Sequence, residues 1–124
     1  MGDMSTSPFM ALLTKYSVDL YVAGHSHSYA RSWPTRATGE VERYHPENHY
    51  HASQGLAEVV VGGAGCEEMH SLDAESVLSG SAKPVYATSK LATGVLNVLN
   101  RSAVHWVLYG STEGVVLDEL YLTK

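Results

Sequence analysis

Two histidines separated by one residue, His25 and His27, are the side chains of this sequence best suited to metal binding. They follow an apolar run at 20–23 and Gly24, which indicates a buried strand ending in a turn. If the backbone stays extended through Ser26, the two rings point to opposite sides. That arrangement suits two neighbouring metal ions, each binding one imidazole, better than one ion chelated by both. An ordinary solvated loop is the alternative interpretation of these residues.

The element expected to lead into this strand is a helix. Ser7 is a favourable capping residue, and Pro8 is favourable at the first helical position. Four apolar residues then recur at helical spacing and give one apolar face: Phe9, Leu12, Leu13 and Tyr16. A helix followed by a turn and a buried strand is typical of an α/β layer.

The residues around the histidine pair resemble a known metal-binding motif. The segment Gly24-His25-Ser26-His27-Ser28-Tyr29-Ala30-Arg31 is similar to the Gly-His-x-His motif of calcineurin-like metallophosphoesterases. The tyrosine and arginine at its end narrow the resemblance to the purple acid phosphatases, whose version reads Gly-His-x-His-x-Tyr-Glu-Arg. Ala30 departs from that pattern, because the family has glutamate there.

A second informative stretch combines a strand with a glycine-rich turn. The β-branched run at 59–61 indicates a strand, and glycines at 62, 63 and 65 follow it. Such a turn can cradle a phosphate, but Glu67 and Glu68 disfavour an anion there. Purple acid phosphatases have a similar strand and glycine-rich turn with a nearby glutamate, and the long-chain branch found in animals often shows Gly-Cys-x-Glu there. By this resemblance Cys66 is interpreted as a packing residue. The adjacent glutamates also argue against a thiolate nucleophile.

The C-terminal third predicts three antiparallel strands joined by short polar turns, at 94–99, 103–109 and 115–122. Both alternating faces of the last two strands carry apolar residues, so we expect these strands to lie between two layers. Asp118 matches an aspartate near the end of the purple acid phosphatases, and we expect its role to be structural.

Two stretches give weak signals. Residues 34–55 are polar and contain three histidines, His45, His49 and His51, but Pro46 disrupts any helical face that would gather them. We therefore expect a solvated loop there rather than a metal cluster. Residues 70–90 are rich in serine, alanine and threonine and correspond to a variable loop of the family.

Composition bounds the function classes. The chain has 124 residues, a net charge of −5 and no cluster of basic residues, which argues against nucleic-acid binding. No apolar run is long enough to span a membrane, and the N-terminus lacks the features of a signal peptide. A single cysteine excludes a disulfide within the chain.

The resemblance implies a fold of the α/β class, namely the C-terminal portion of a metallophosphoesterase α/β/β/α sandwich. Residues 1–124 would form one partial domain of this kind. It implies acid phosphatase chemistry, the hydrolysis of a phosphate monoester, at a dinuclear centre of Fe(III) with Zn, Mn or Fe(II). His25 would bind the divalent ion and His27 the ferric ion, while Tyr29 and Arg31 would lie behind these ligands and hold them. Secretion, or a vacuolar or lysosomal location, is implied as well. The triplet Asn100-Arg101-Ser102 is an N-glycosylation sequon, and the family often carries one at this turn.

The family's other ligands are an aspartate, a bridging aspartate, a tyrosine, an asparagine and a further histidine, and none can be located here. We therefore assign no catalytic residue and expect a fragment that is inactive alone, completed by a missing N-terminal part or by a homodimer. The alternative is a non-catalytic β-rich module that binds a protein partner or a lone metal ion through His25 and His27.

Overall fold

The structure is a computed structural model that describes residues 8–42, 48–52, 55–68, 77–78, 82–112 and 114–124. Within these ranges the chain forms one short helix and eight strands. In order they are α1 (Pro8–Lys15), β1 (Leu20–Ala23), β2 (Tyr29–Ser32), β3 (His49–His51), β4 (Ala57–Val61), β5 (Pro84–Thr88), β6 (Ala92–Asn100), β7 (Ala103–Gly110) and β8 (Val116–Thr123). None of the described helices is long and apolar enough to cross a membrane.

The first sheet has the strand order β1-β4-β2-β5. β1 and β4 are the two strands predicted from apolar runs, and they pair in parallel, with Val22 opposite Val59. β2 runs antiparallel to both β4 and β5. Because β1 and β4 are parallel neighbours, the turns that follow them emerge at the same edge of the sheet.

The second sheet has the order β3-β8-β7-β6. Strands β6, β7 and β8 form the predicted antiparallel meander, in which Trp106 lies opposite both Leu96 and Leu120. The short strand β3 extends this sheet in parallel with β8. Both sheets therefore contain parallel and antiparallel pairs. One short helix followed by mostly β structure confirms the expected fold class, a portion of a sandwich.

The two sheets enclose one main core between them. Its buried members come from both sheets, because one face of each strand turns inward: Tyr29, Tyr50, Ala57, Val59, Ala92, Trp106, Leu108, Leu120 and Leu122. A smaller cluster covers the opposite face of the first sheet, with Ala30 and Val60 packed against Val77 and Leu78. The central strands of the first sheet are therefore buried on both faces.

The polar segment at 34–55 was expected to be a loop, and this expectation is wrong for residues 49–51. They form β3, with Tyr50 buried between two exposed histidines. The strand forms because Tyr50 fits the core while the backbone pairs with β8. His45 lies outside the described residues.

The apolar face of α1 is less covered than expected. Phe9 makes an edge-to-face contact with Tyr21, but Leu12 and Tyr16 are largely exposed. β1 was expected to be buried and is instead an edge strand with Val22 half exposed.

The expectation that the last strands lie between two layers is met fully on the inner face and only in part on the outer face. Trp106 and Leu108 face the first sheet and are buried. On the outer face Val107 is buried as well, whereas Tyr109 and Val116 are exposed. β6 is an edge strand whose apolar residues reach 74% exposure at Val98.

Candidate metal-binding site

The histidine pair lies on a tight turn directly after β1. His25 adopts a positive φ of 76°, and the Ser26 amide donates a 3.1 Å hydrogen bond to the Gly24 carbonyl. The Ser28 amide donates in the same way to the Ser26 carbonyl, at 2.8 Å. The backbone is therefore not extended here, and the condition for placing the rings on opposite sides is not met. The His25 side chain is exposed, whereas His27 is half-buried.

The glycine-rich turn after β4 contacts the histidine turn. The Nδ1 atom of His27 lies 2.7 Å from the carbonyl oxygen of Glu68. The Sγ atom of Cys66 lies 2.9 Å from that nitrogen and 2.9 Å from the same carbonyl. Cys66, expected to be a packing residue, thus contacts one of the two histidines directly.

Gly62 allows this close approach of the two turns. A Cβ atom at this position would lie 2.0 Å from the Ser26 carbonyl oxygen, so only glycine fits without displacement of the backbone. Its amide donates a 3.2 Å hydrogen bond to the Ser28 carbonyl. Within the described part of the chain, the buried Ser28 hydroxyl has no hydrogen-bond partner.

Tyr29 and Arg31 follow the histidines on β2, and their side chains bond to Asp118 on β8. The Arg31 guanidinium binds both carboxylate oxygens, at 2.7 and 2.8 Å, and the Tyr29 hydroxyl donates to one of them at 2.7 Å. Trp106 donates through Nε1 to the Tyr29 oxygen at 3.1 Å. Arg31 also donates to the Tyr50 hydroxyl, which donates in turn to the Ser32 carbonyl.

This network is buried, and burial governs its protonation. Burial of the phenol, reinforced by the charge and hydrogen bond of Asp118, raises the pKa of Tyr29. Burial alone would lower the pKa of Arg31, but its hydrogen bonds and the neighbouring Asp118 carboxylate raise it. Tyr29 therefore stays a neutral donor and Arg31 stays charged, which fits the structural role expected for Asp118.

The structure brings His25 and His27 together on one turn and gathers Tyr29 and Arg31 in the adjacent strand. Tyr29 and Arg31 form hydrogen bonds to Asp118, and Arg31 forms another to Tyr50. That these two residues also hold the metal ligands in place stays a prediction. Ala30, which replaces the family's glutamate, is fully buried against the smaller cluster.

The other described histidines lie elsewhere, on the outer face of the second sheet. His49 and His105 both contact the Tyr121 ring, and His105 lies 3.1 Å from a Glu119 carboxylate oxygen. No group of three or more histidine, cysteine or acidic side chains among the described residues could hold a metal ion. Imidazoles such as those of His25 and His27 are suitable donors for iron or zinc, but two are fewer than a metal site usually has.

Comparisons with known proteins point to one group of enzymes. No family model matches the chain. An acid phosphatase of Aspergillus ficuum is 35% identical over 125 residues, which cover 94% of this chain and 20% of that protein. The human acid phosphatase type 7 is 29% identical over 116 residues, or 91% of this chain and 25% of that protein.

A solved structure agrees with these relatives. The purple acid phosphatase PPD1 from yellow lupin (Lupinus luteus) seeds superposes with a TM-score of 0.72 and 21% identity, covering 94% of this chain and 19% of that one. The chain thus spans between a fifth and a quarter of the length of the curated relatives it matches. It is similar in sequence to acid phosphatases over nearly its whole length, and it has the fold of a C-terminal portion of a purple acid phosphatase.

Proposed function

We propose that this chain is part of a metal-dependent acid phosphatase and contributes two metal ligands, His25 and His27, to its site. The observation that carries the proposal is the pair of imidazoles on one turn at the end of β1, in a chain homologous to acid phosphatases over nearly its whole length. Histidines in such a position are suited to binding metal because the strand fixes where the turn begins.

The metal centre proposed is dinuclear, with Fe(III) and a divalent Zn, Mn or Fe ion, and its substrate is a phosphate monoester. When bound, such a centre supplies electrophilic catalysis at the phosphoryl group and acidifies a water molecule. The residues of this chain would bind the metal ions and hold them in place. His25, on the exposed side of the turn, would bind the divalent ion, and His27, held by the turn after β4, would bind the ferric ion.

The remaining ligands are proposed to come from polypeptide outside the described residues. Two imidazoles are far fewer than a dinuclear centre requires, and the relatives are four to five times as long as the matched region. The uncovered apolar residues of β6 are consistent with further polypeptide packing there, from an N-terminal part or a second copy.

A second candidate is a non-catalytic module that binds a lone metal ion through His25 and His27. It is favoured by one observation: among the described residues, no group of three or more histidine, cysteine or acidic side chains could hold a metal ion. The buried network around Asp118 would stabilise such a module without any part in catalysis.

The test is hydrolysis of p-nitrophenyl phosphate at mildly acid pH with added iron and zinc, together with zinc binding measured by calorimetry. The variants are His25→Ala and, as a matched control, His49→Ala on the far side of the second sheet. Hydrolysis lost in His25→Ala and retained in His49→Ala supports the phosphatase. Hydrolysis that survives His25→Ala contradicts the ligand assignment. The remaining ligands are proposed to lie outside the described residues, so the hydrolysis assay is also run with the N-terminal part of an acid phosphatase relative added. Zinc binding that needs His25, without hydrolysis even then, favours the binding module.

We also propose that the protein passes through the secretory pathway, and a glycan on Asn100 would be evidence for it. The asparagine lies at the exposed end of β6 in the triplet Asn100-Arg101-Ser102. A glycan there would require passage through the secretory pathway.

A further inference from the structure

We propose that β6 is an interface between two copies of this chain, which pair antiparallel along this strand about a two-fold axis at Asn97. The four-stranded sheet of each copy would then join its counterpart in one continuous sheet. A second copy as the partner goes beyond the proposed function, and neither histidine of the turn after β1 takes part.

The position of β6 in its sheet is the first observation. Among the described strands only β7 pairs with β6, so one side of this nine-residue strand presents backbone N–H and C=O groups without a strand partner there. Edge strands are usually protected from pairing by charged residues, proline or a bulge. β6 contains no charged residue and no proline, and its register shift falls at its end, between Val98 and Asn100. The strand is therefore suited to accept another strand.

Exposed apolar side chains line β6 on both of its faces. Leu96 lies opposite Trp106 and shares the inner face with Val98, whereas Val95 lies on the outer face. These three side chains and Leu99 are between 41% and 74% exposed. Burying them on two copies, together with the backbone between, would remove on the order of 1,000 Å² from water, the size at which specific interfaces begin. We therefore expect a dimer that dissociates on dilution.

The sequence of β6 is complementary to itself. A two-fold contact places the same patch of both copies face to face, so that patch must match its own reverse. Residues 95–99 read Val-Leu-Asn-Val-Leu, with two apolar residues on each side of Asn97. With Asn97 opposite its own copy, Val95 lies opposite Leu99 and Leu96 opposite Val98, which gives apolar cross-strand pairs. A partner of different sequence would gain nothing from this symmetry, which favours a second copy.

The charges around β6 agree with this register. The first charged residue after the strand is Arg101, which would lie opposite the neutral Thr93 of the second copy. Lys90, before the strand, would lie beyond the paired segment, opposite Val104. Like charges therefore do not meet across the axis, and the two Asn97 amides can hydrogen-bond to each other.

The experiment is sedimentation velocity of the metal-free full chain over a wide range of concentrations. We expect a monomer–dimer equilibrium, and a chain that stays monomeric at every concentration would overturn the proposal. Asn97→Asp and Asn97→Lys each place like charges directly opposite one another and should abolish the dimer. Thr112→Asp and Thr112→Lys, in the exposed turn after β7, are the matched controls and should keep it. A dimer that survives both Asn97 variants would exclude β6 as the interface.

An equal mixture of Asn97→Asp and Asn97→Lys tests the axis itself. Opposite charges then face each other, so the mixture should recover the dimer that each variant alone has lost. Misfolded variants would not recover it, and a mixture of folded variants that stays monomeric contradicts the two-fold axis at Asn97.

The N-terminal part of an acid phosphatase relative is the competing occupant of this edge. A chain that binds that part through β6 but does not self-associate would assign the edge to it and overturn the proposal. All these measurements are made without metal or substrate. A chain that dimerises through β6 but fails in hydrolysis therefore refutes the proposed phosphatase and leaves this interface standing.

Discussion

Arg31 on β2 and Asp118 on β8 form a bidentate ion pair between the two sheets, although 87 positions separate them in the sequence. The side chains are 2% and 8% exposed. A pair buried to this extent is costly to break, because the partner that remains keeps its desolvation penalty without compensation.

Asp118→Ala should therefore lower the free energy of unfolding by about 3–5 kcal/mol. It leaves the Arg31 guanidinium and the Tyr29 hydroxyl without their shared acceptor. Glu119→Ala on the same strand is the matched control. Its pair with His105 is 41% exposed on the Glu119 side, so it should cost less than about 1 kcal/mol. Urea unfolding measures both, and equal costs would contradict a special role for Asp118.

Alkaline pH should destabilise the chain through Tyr29. An unfolded tyrosine has a pKa of about 10, and burial beside Asp118 raises the pKa of Tyr29 in the folded chain. Above pH ~10 the folded state therefore holds more protons than the unfolded state. The stabilisation is fully present below that pH and decreases as pH rises, by up to about 1.4 kcal/mol per pH unit.

Urea unfolding at a series of alkaline pH values checks this expectation. Tyr29→Phe should make the decrease shallower, because the group responsible is removed. Tyr16→Phe, in the exposed face at the end of α1, should leave the slope unchanged. The same slope in the wild type and in Tyr29→Phe would assign the alkaline sensitivity to other groups.

Gly94→Ala should destabilise the core between the sheets. The added Cβ would lie 2.0 Å from the Trp106 ring, which is buried and bonded through Nε1 to Tyr29. Because the ring cannot shift freely, we expect a cost of about 1–3 kcal/mol, typical of overpacking. Thr93→Ala, on the neighbouring exposed position of β6, is the control. A displaced Trp106 indole N–H resonance in Gly94→Ala alone would support this reason, and an unchanged one would argue against it.

The sequence predicted those strands whose apolar runs are long or β-branched, namely β1, β4 and the meander of β6 to β8. It did not reveal β2, because the segment Tyr29–Ser32 contains an arginine that becomes buried. The arginine is stabilised in the core by its ion pair with Asp118 on a distant strand, which no local pattern can show. β3 and β5 were missed for a related reason, since their neighbours in the sheet are remote in sequence.

The candidate site was also predicted only in part. The histidine pair was recognisable from its spacing, but the contact between His27 and the turn at Cys66 was not. One feature of the sequence could have indicated this contact: two predicted strands each end in a turn that contains glycine. If such strands pair in parallel, their carboxyl ends meet at one edge of the sheet, which is where sites form in mixed α/β folds.

The last prediction concerns Asn100. Its side-chain oxygen accepts hydrogen bonds from the Ser102 amide and hydroxyl, at 2.8 and 3.1 Å, in an exposed turn between β6 and β7. Because the acceptor residue and its hydroxyl partner are exposed, a chain secreted from a eukaryotic host should carry one glycan there. Its mass should fall after enzymatic removal of N-glycans. Asn97→Gln, on the same strand but outside any sequon, should behave like the wild type, whereas Asn100→Gln and Ser102→Ala should show no mass change. A secreted wild-type chain without a glycan would contradict the use of this turn as a glycosylation site.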